Sequence, residues 1–223
     1  NIYAMNSYAV MLYDGDGIPM NKKEAARYFK MAADKGNDVA MFNYALMISM
    51  GDGVEVDKKE ALRYYKMAAD KGYSDAMFNY AEMLFNGDGV DVDKKEAIRY
   101  YKMCADEGDE DAMIEYALIL KDGDGIETNK KEAARYFKIA ADNGISDAMH
   151  FYAEMLKDGD GIESNKSEAI RYLKMSVSCG NSKSLLLYGK MLYDGDGVEV
   201  DKNLALRYIK EAADKGNENA LQM

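Results

Sequence analysis

Residues 37–72 read NDVAMFNYALMISMGDGVEVDKKEALRYYKMAADKG, and this unit predicts the fold. Its central triplet, Gly-Asp-Gly, recurs at a constant step of 36 residues, at 15–17, 51–53, 87–89, 123–125, 159–161 and 195–197. The same step relates six Arg-Tyr pairs and six further glycines, from Gly36 to Gly216. A constant step kept through six copies is typical of an array of structural repeats.

The first half of this stretch predicts an amphipathic helix. Its apolar residues follow the spacing i, i+1, i+4, i+5, i+8, which forms one stripe on a helix: Ala40, Met41, Tyr44, Ala45 and Ile48. Gly51 follows, where a left-handed residue commonly ends a helix. Most of the 17 methionines fall at two such stripe positions, which indicates core packing rather than a methionine-rich binding surface.

The second half predicts a second helix with its own start signal. Asp57 and Glu60 have the spacing of a capping box, in which each side chain accepts the other residue's backbone N–H. The last copy has Leu204 in place of the glutamate, so the reciprocal bond is predicted to be missing there. Glu60 and Arg63 are three apart, which favours an ion pair. The second stripe comprises Ala61, Tyr64, Tyr65, Ala68 and Ala69.

Each repeat is therefore predicted to be a helical hairpin that cannot bury both stripes alone. Stacking of neighbouring hairpins buries them and produces a solenoid. A single proline, Pro19, in 223 residues agrees with a nearly all-helical chain. We expect one array over residues 1–223, with repeat boundaries near residues 36, 72, 108, 144, 180 and 216.

Both ends of the sequence look truncated relative to the repeat. Residues 1–13 match a first helix without its lead-in, and residues 217–223, NENALQM, start a seventh first helix and stop. Neither end carries the polar cap that an array needs for solubility. We therefore expect an excerpt from a longer array, or neighbouring domains or subunits that cover both ends.

The repeat resembles the Sel1-like repeat, a relative of the tetratricopeptide repeat with a longer loop between its helices. The resemblance rests on A-x-x-Y-A-x-M-[LI]-x-x-G-D-G-[VI]-x-x-[DN]-x-x-[EL]-A-x-R-Y-x-K-x-A-A-x-x-G and covers essentially the whole chain. It implies an all-α fold, a right-handed α-α superhelix (solenoid) of about six 36-residue helix-turn-helix repeats. It also implies a non-catalytic scaffold or adaptor that binds a protein or peptide partner in a concave groove lined by the first helices.

Two other functions stay open from the sequence. One is a structural subunit of a large assembly, in which the ends and the convex face are buried. The other follows cysteine-rich secreted relatives, whose proposed activity is penicillin binding or β-lactamase. This chain departs from their pattern of one disulfide per repeat, because it has only Cys104 and Cys179. Cys104 replaces a stripe alanine and is expected to be buried, whereas Cys179 is expected to be exposed near a helix end.

The net charge of −11 disfavours a nucleic-acid partner, because such binding relies on Lys and Arg neutralising phosphates. The sequence also contains no apolar run of about 18 residues that would span a membrane. Two cysteines in non-equivalent positions suit a reducing compartment, so a cytoplasmic location is expected.

No metal, cofactor or catalytic site is predicted. Counted from Asp14 as an EF-hand loop, positions 5, 6 and 12 hold Ile18, Pro19 and Ala25, none of which suits calcium. A phosphate loop is disfavoured because no strand precedes the glycines and no Gly-Lys-Ser/Thr follows them. The single histidine, His150, stands where most other repeats carry an apolar residue, which argues against catalysis.

The positions that vary between repeats indicate where a partner would bind. In the second copy they are Val39, Phe42, Asn43, Leu46 and Ser49, which share one face of the first helix. The invariant stripe lies opposite, so we expect the variable face to line the groove. The candidate partner-binding residues are Phe42, Asn43, Leu46, Phe78, Asn79, Glu82, Ile114, Glu115, His150, Phe151, Glu154, Leu186 and Leu187.

The sequence leaves two roles open for these candidates. An apolar patch with an acidic rim would suit a groove that binds a peptide or a helix. Alternatively, position 42 and its equivalents pack the helices of the array together. The polar candidates would then be ordinary solvent-exposed residues.

Overall fold

A computed structural model describes residues 1–222, which form thirteen α-helices and contain no strand. The first helices of the hairpins are α1 (Ile2–Asp14), α3 (Asp38–Met50), α5 (Ser74–Asn86), α7 (Glu110–Asp122), α9 (Ser146–Asp158) and α11 (Ser182–Asp194). The second helices are α2 (Lys22–Ala33), α4 (Lys58–Ala69), α6 (Lys94–Glu107), α8 (Lys130–Asp142), α10 (Lys166–Ser178) and α12 (Lys202–Asp214). A short α13 (Glu218–Leu221) follows them. The predicted all-α array of six helical hairpins is confirmed.

The chain forms two compact units, unit 1 (Asn1–Ala112) and unit 2 (Met113–Met223), and the division falls within α7. In unit 1, helices α1 to α6 pack against one another in chain order. In unit 2, helices α8 to α13 do the same. Packing between helices that follow each other in sequence is what an array of stacked hairpins requires.

Both predicted stripes are buried. The first-helix stripe of the second repeat, Ala40 to Ile48, is at most 8% exposed, and the second-helix stripe, Ala61 to Ala69, at most 2%. In five of the six hairpins two tyrosine rings meet edge-on, with centroids 4.9 Å apart for Tyr44 and Tyr64, whereas Tyr188 and Tyr208 of the last hairpin are tilted. Alanines in the same stripes let the helices approach closely, so each hairpin contributes a small core of alanine, methionine and tyrosine.

The tyrosine of the Arg-Tyr pair also ties several hairpins to the one before. The ring of Tyr64 is fully buried, and its hydroxyl donates to Asp34 at the end of α2, at 2.5 Å. The Arg63 guanidinium lies 4.2 Å from the centroid of the same ring. Tyr172 likewise donates to Asp142, at 2.6 Å. The predicted Glu–Arg pairs form as well, for example Glu96–Arg99 at 2.8 Å.

The Gly-Asp-Gly loop connects the two helices of one hairpin and packs against the preceding hairpin. Gly53 has φ +76°, and a Cβ there would lie 2.4 Å from the Cβ of Lys22 in the preceding hairpin. Asp52 accepts from the Nζ of the same lysine at 2.8 Å. Equivalent lysine–aspartate pairs in later junctions are Lys58–Asp88, Lys130–Asp160 and Lys166–Asp196. The glycines therefore permit close approach, and the aspartate holds the neighbouring lysine.

The predicted capping box is half wrong. The cap side chain acts as expected, since the N–H of Glu60 donates to Asp57 Oδ1 at 2.9 Å. The N–H of Asp57, however, donates to the carbonyl of Ile48 in α3, at 2.9 Å, instead of to the glutamate. Asp201 makes the same bond to Leu192, so Leu204 costs its helix no cap hydrogen bond. The predicted hydrogen bond from the Asp57 N–H to the Glu60 side chain is thus replaced by one to the first helix of the same hairpin.

Candidate protein-binding surface

The aromatic candidates pack within the array. The ring of Phe42 lies 5.9 Å from Tyr65 in the same hairpin and 5.2 Å from Tyr73 before the next one. Phe78 lies 5.6 Å from Tyr101 in the same way. Both phenylalanines are only half-buried. Packing therefore accounts for much of their apolar character, and a partner contact there stays a prediction.

In unit 1, two candidates line a cleft of about 230 Å³, which we call the unit 1 cleft. They are Asn43 and Leu46, and the other lining residues are Val10, Tyr13, Asp14, Phe29, Met47, Met50 and Asp52. Asp52 accepts from both Tyr13 and Lys22, and these hydrogen bonds, that from Lys22 foremost, lower the pKa of its carboxyl. The lining is mostly apolar with carboxylates at its rim.

The remaining unit 1 candidates lie outside that lining. The Asn79 side chain donates to the carbonyl of Asp75 on its own helix at 2.7 Å, whereas Glu82 is exposed. In unit 2, Ile114 is half-buried, Glu115 is exposed, and the Phe151 ring lies 5.2 Å from that of Phe137.

The other four candidates meet in unit 2. His150 and Glu154 on α9, with Leu186 and Leu187 on α11, line a cleft of about 570 Å³, which we call the unit 2 cleft. Leu186 is 7% exposed and belongs to a core cluster with Leu185, Ala212 and Ala220. The lining is completed by Ser182, Lys183, Lys190 and residues 216–219 at the start of α13.

His150 is held by a chain of buried hydroxyls. Ser176 and Ser184 are fully buried, and His150 is 5% exposed. Ser176 Oγ donates to the carbonyl of Ser146, Ser184 Oγ donates to Ser176 Oγ at 2.8 Å, and His150 Nδ1 lies 3.2 Å from Ser184 Oγ. Since each hydroxyl proton is already committed, His150 Nδ1 must be the donor to Ser184. The neutral ring then carries its lone pair on Nε2.

Burial shifts the pKa values of His150 and of the neighbouring Glu154. Desolvation lowers the pKa of His150 from 6.5 to about 4, with Lys183 adding to the shift. Desolvation also raises the pKa of Glu154. The two side chains are 3.6 Å apart, but at neutral pH the imidazole is uncharged, so they do not form an ion pair. The cleft therefore holds two hydrogen-bond acceptors side by side.

Sequence reasoning missed the hydroxyls and the lysines of the unit 2 cleft. Ser176 and Ser184 stand where nearly all other repeats have alanine, and Lys183 and Lys190 stand where the previous repeat has Asp147 and Glu154. These four departures from the repeat lie close to the only histidine. Comparison of the copies with one another for polar residues at alanine positions would have identified the hydroxyls.

Both cysteines are free, and they stand where they were predicted. Cys104 is fully buried, which raises the pKa of its thiol to about 11, and Cys179 is exposed at the end of α10. The cytoplasmic location stays a prediction.

Among residues 1–222, no group of three or more His, Cys, Asp or Glu side chains is arranged to hold a metal ion. In the same part of the chain, no helix combines the length and the apolar character that crossing a membrane requires.

Solved structures of known proteins resemble this chain along nearly its whole length. One is c5321, a protective antigen present in uropathogenic Escherichia coli strains that displays an SLR fold; it is 26% identical over 98% of this chain, with a TM-score of 0.92. This chain spans 47% of the length of that antigen. A Sel1 repeat protein from Oxalobacter formigenes is 30% identical, with a TM-score of 0.82 over 96% of this chain and 88% of that one.

A more distant likeness shows the fold alone. The immunity protein PA5088 from Pseudomonas aeruginosa is 20% identical, with a TM-score of 0.55 over 97% of this chain and 82% of that one. No curated protein matches the sequence.

The family comparison divides nearly the whole sequence into six consecutive segments. The model of the Sel1 repeat family matches residues 2–37, 38–73, 74–109, 110–145, 146–181 and 182–217. Proteins built from these repeats are generally helical scaffolds that mediate protein–protein interactions. With six matches covering nearly the whole sequence, this chain belongs to the Sel1 repeat family.

Proposed function

We propose that this protein is a non-catalytic scaffold that binds a protein partner on the variable face of its first helices. The main support for this proposal is the position of the two clefts on the first helices. The unit 1 cleft and the unit 2 cleft are both lined by first-helix residues that differ from repeat to repeat. The residues that stack the hairpins are instead nearly uniform. Variation at concave positions that a ligand can reach favours recognition of that ligand over packing.

The composition of the clefts suits a protein ligand. Leu46 and Leu187 are half-buried, so each offers apolar surface that a partner can cover. Asn43 and Glu154 stand beside them and supply polar contacts. An apolar centre with polar groups around it is the usual organisation of a protein interface.

Site-specific photocrosslinking tests the proposal. A benzophenone amino acid is placed at Leu46 or Leu187, and a matched control is placed at Met175, which is 38% exposed on the second helix α10. We expect the two cleft positions to crosslink one protein that the control position does not. That protein is then identified by mass spectrometry, purified and titrated against the scaffold.

Charge substitution makes the test quantitative. With the purified partner, Leu46→Glu or Leu187→Glu is expected to weaken binding by about tenfold or more, because each places a carboxylate in an apolar contact. Met175→Glu should leave the affinity unchanged. Equal affinities for all three variants, with folding retained by circular dichroism, would show that the partner binds elsewhere on the protein.

A further inference from the structure

Three polar residues at or beside the unit 2 cleft distinguish it from the rest of the array. His150 replaces the phenylalanine found at positions 42 and 78, and Ser184 and Ser176 replace stripe alanines. The three side chains form one hydrogen-bonded chain that ends on the carbonyl of Ser146. Buried polar groups destabilise a core unless they are paired, so such a chain is not a neutral variation of the repeat.

The hydrogen-bonded series from Ser146 to His150 gives no partner to His150 Nε2. Ser184 satisfies His150 Nδ1, whereas the nearest polar group to Nε2 is the Glu154 carboxylate at 3.6 Å, beyond hydrogen-bonding distance. His150 is 5% exposed and lines the cleft. Its Nε2 lone pair and the Glu154 carboxylate therefore form two adjacent acceptors in the same cleft.

We propose that the unit 2 cleft binds an arginine side chain of the partner protein. Two adjacent N–H groups of the planar guanidinium would donate to His150 Nε2 and to the Glu154 carboxylate, an acceptor pair close enough for the guanidinium fork. The methylene groups of the arginine would lie on Leu186 and Leu187. The proposal rests on the proposed function, because the arginine belongs to the bound partner.

Charge supports a cationic group at this place. Burial raises the pKa of the half-buried Glu154 carboxyl, and Lys121, Lys157 and Lys183 act in the opposite direction. A guanidinium hydrogen-bonded to this carboxylate would add a counter-charge in direct contact. The charged residues of the lining are Lys183 and Lys190 on one side of the count and Glu154 and Glu218 on the other, so their charges cancel. The chain as a whole carries a net charge of −11, which attracts basic partners.

The sole histidine of the chain makes the proposal directly measurable. In protein labelled with 15N-histidine, the ring gives one set of signals, which report the Nδ1–H tautomer and any donor to Nε2. The probe is acetyl-Gly-Arg-Gly-amide, and the comparison peptides carry citrulline or glutamate in place of arginine. We expect the arginine peptide to shift the Nε2 signal saturably, with the citrulline peptide much weaker and the glutamate peptide without effect.

Variants separate the contacts. Glu154→Gln keeps the shape of the cleft but removes the charge, and should weaken binding of the arginine peptide by about tenfold. His150→Phe restores the residue of two other repeats and should abolish binding, as followed by the backbone amide signal of Leu187. Ser184→Ala restores the alanine of the stripe; it should move the ring proton toward Nε2 and weaken binding.

Three results would overturn the proposal. They are equal shifts with the arginine and citrulline peptides, a larger shift with the glutamate peptide, and unchanged arginine binding in Glu154→Gln. The proposed function is judged separately, by crosslinking and by the partner titration. If Leu187→Glu loses the partner while the arginine peptide leaves the His150 ring unchanged, only the arginine assignment fails.

Discussion

At the scale of single residues, two glycines of the second repeat differ in what surrounds them: Gly53 of the Gly-Asp-Gly triplet and Gly72, which follows the second helix. Gly53 and Gly72 both have positive φ, at +76° and +88°. A Cβ at Gly53 would overlap Lys22, whereas a Cβ at Gly72 would have no atom within 4 Å. The pair therefore separates the cost of the backbone conformation from the cost of close packing.

We predict that Gly53→Ala destabilises the protein more than Gly72→Ala. Each alanine has to adopt a left-handed conformation, at about 1–2 kcal/mol. Gly53→Ala adds an overpacking cost of about 1–3 kcal/mol, because its Cβ meets the backbone and Cβ of Lys22. Urea denaturation of the two variants measures the difference. Equal losses would mean that the junction relaxes without strain.

His150 gives the protein a specific sensitivity to acid. Its pKa is about 6.5 in the unfolded chain and about 4 in the folded one, so the unfolded state binds the proton more readily. Stability from this residue is then full above pH 6.5 and falls as the pH drops toward 4. The raised pKa of Glu154 acts in the opposite direction, since its folded form takes up a proton more readily.

We predict that His150→Phe makes unfolding less dependent on pH. The wild type should lose up to about 3 kcal/mol relative to the variant between pH 6.5 and 4, from the lowered histidine pKa. Phenylalanine at the equivalent positions 42 and 78 makes it a conservative choice for the fold. Chemical denaturation at a series of pH values gives the two curves. Parallel curves would contradict a buried, neutral imidazole.

At the scale of the helical elements, two kinds of interaction stabilise the start of a second helix: a cap hydrogen bond and a set of weaker ion pairs. Asp57 accepts the N–H of Glu60, and its own N–H is bound by Ile48. The Glu60 carboxylate instead contacts Lys30 of the preceding hairpin at 2.5 Å and Arg63 at 3.7 Å. The aspartate therefore caps the helix, whereas the glutamate forms ion pairs.

We predict that Asp57→Ala destabilises the protein by about 1 kcal/mol at any salt concentration, since it removes a cap hydrogen bond. Glu60→Gln should cost less, about 0–1 kcal/mol, because exposed ion pairs contribute little. Its effect should also shrink in high salt, which screens charges. Thermal denaturation at low and high ionic strength distinguishes the two variants. A salt-dependent loss in Asp57→Ala would contradict this division.

At the scale of the whole molecule, stability in a repeat array is expected to depend on neighbouring hairpins. The buried Tyr172 hydroxyl donates to Asp142 at 2.6 Å and so ties α10 to α8 within unit 2. The Tyr64–Asp34 bond of unit 1 is the same device. Each bond belongs to one junction, and a change there has local consequences.

We predict that Tyr172→Phe removes about 1.5–3 kcal/mol of local stability, the range for a hydrogen bond to a charged group. Amide hydrogen exchange should show protection lost mainly in α8 to α10, with α2 to α4 of unit 1 little changed. Tyr64→Phe is the matched control, with the pattern reversed. A uniform loss of protection across both units would show that the array unfolds as one cooperative block.

Short-range information in the sequence determined the period, the two stripes of each hairpin and the left-handed glycines. These follow from helical periodicity and from backbone sterics, which act within a few residues. The Gly-Asp-Gly triplet was correctly predicted to be a helix end. Its ion pair with a lysine 30 residues earlier was not predicted, because that contact depends on how neighbouring hairpins stack.

For the candidate site, the sequence by itself identified the variable face of the first helices. Only the tertiary structure decided which of those residues meet. Some variable residues are half-buried aromatics that pack within the array, and others line the two clefts. His150 is hydrogen-bonded to a series of hydroxyls on α10 and α11. Burial and the partner of each polar atom depend on residues distant in sequence, so the acceptor pair of the unit 2 cleft exists only in the folded chain.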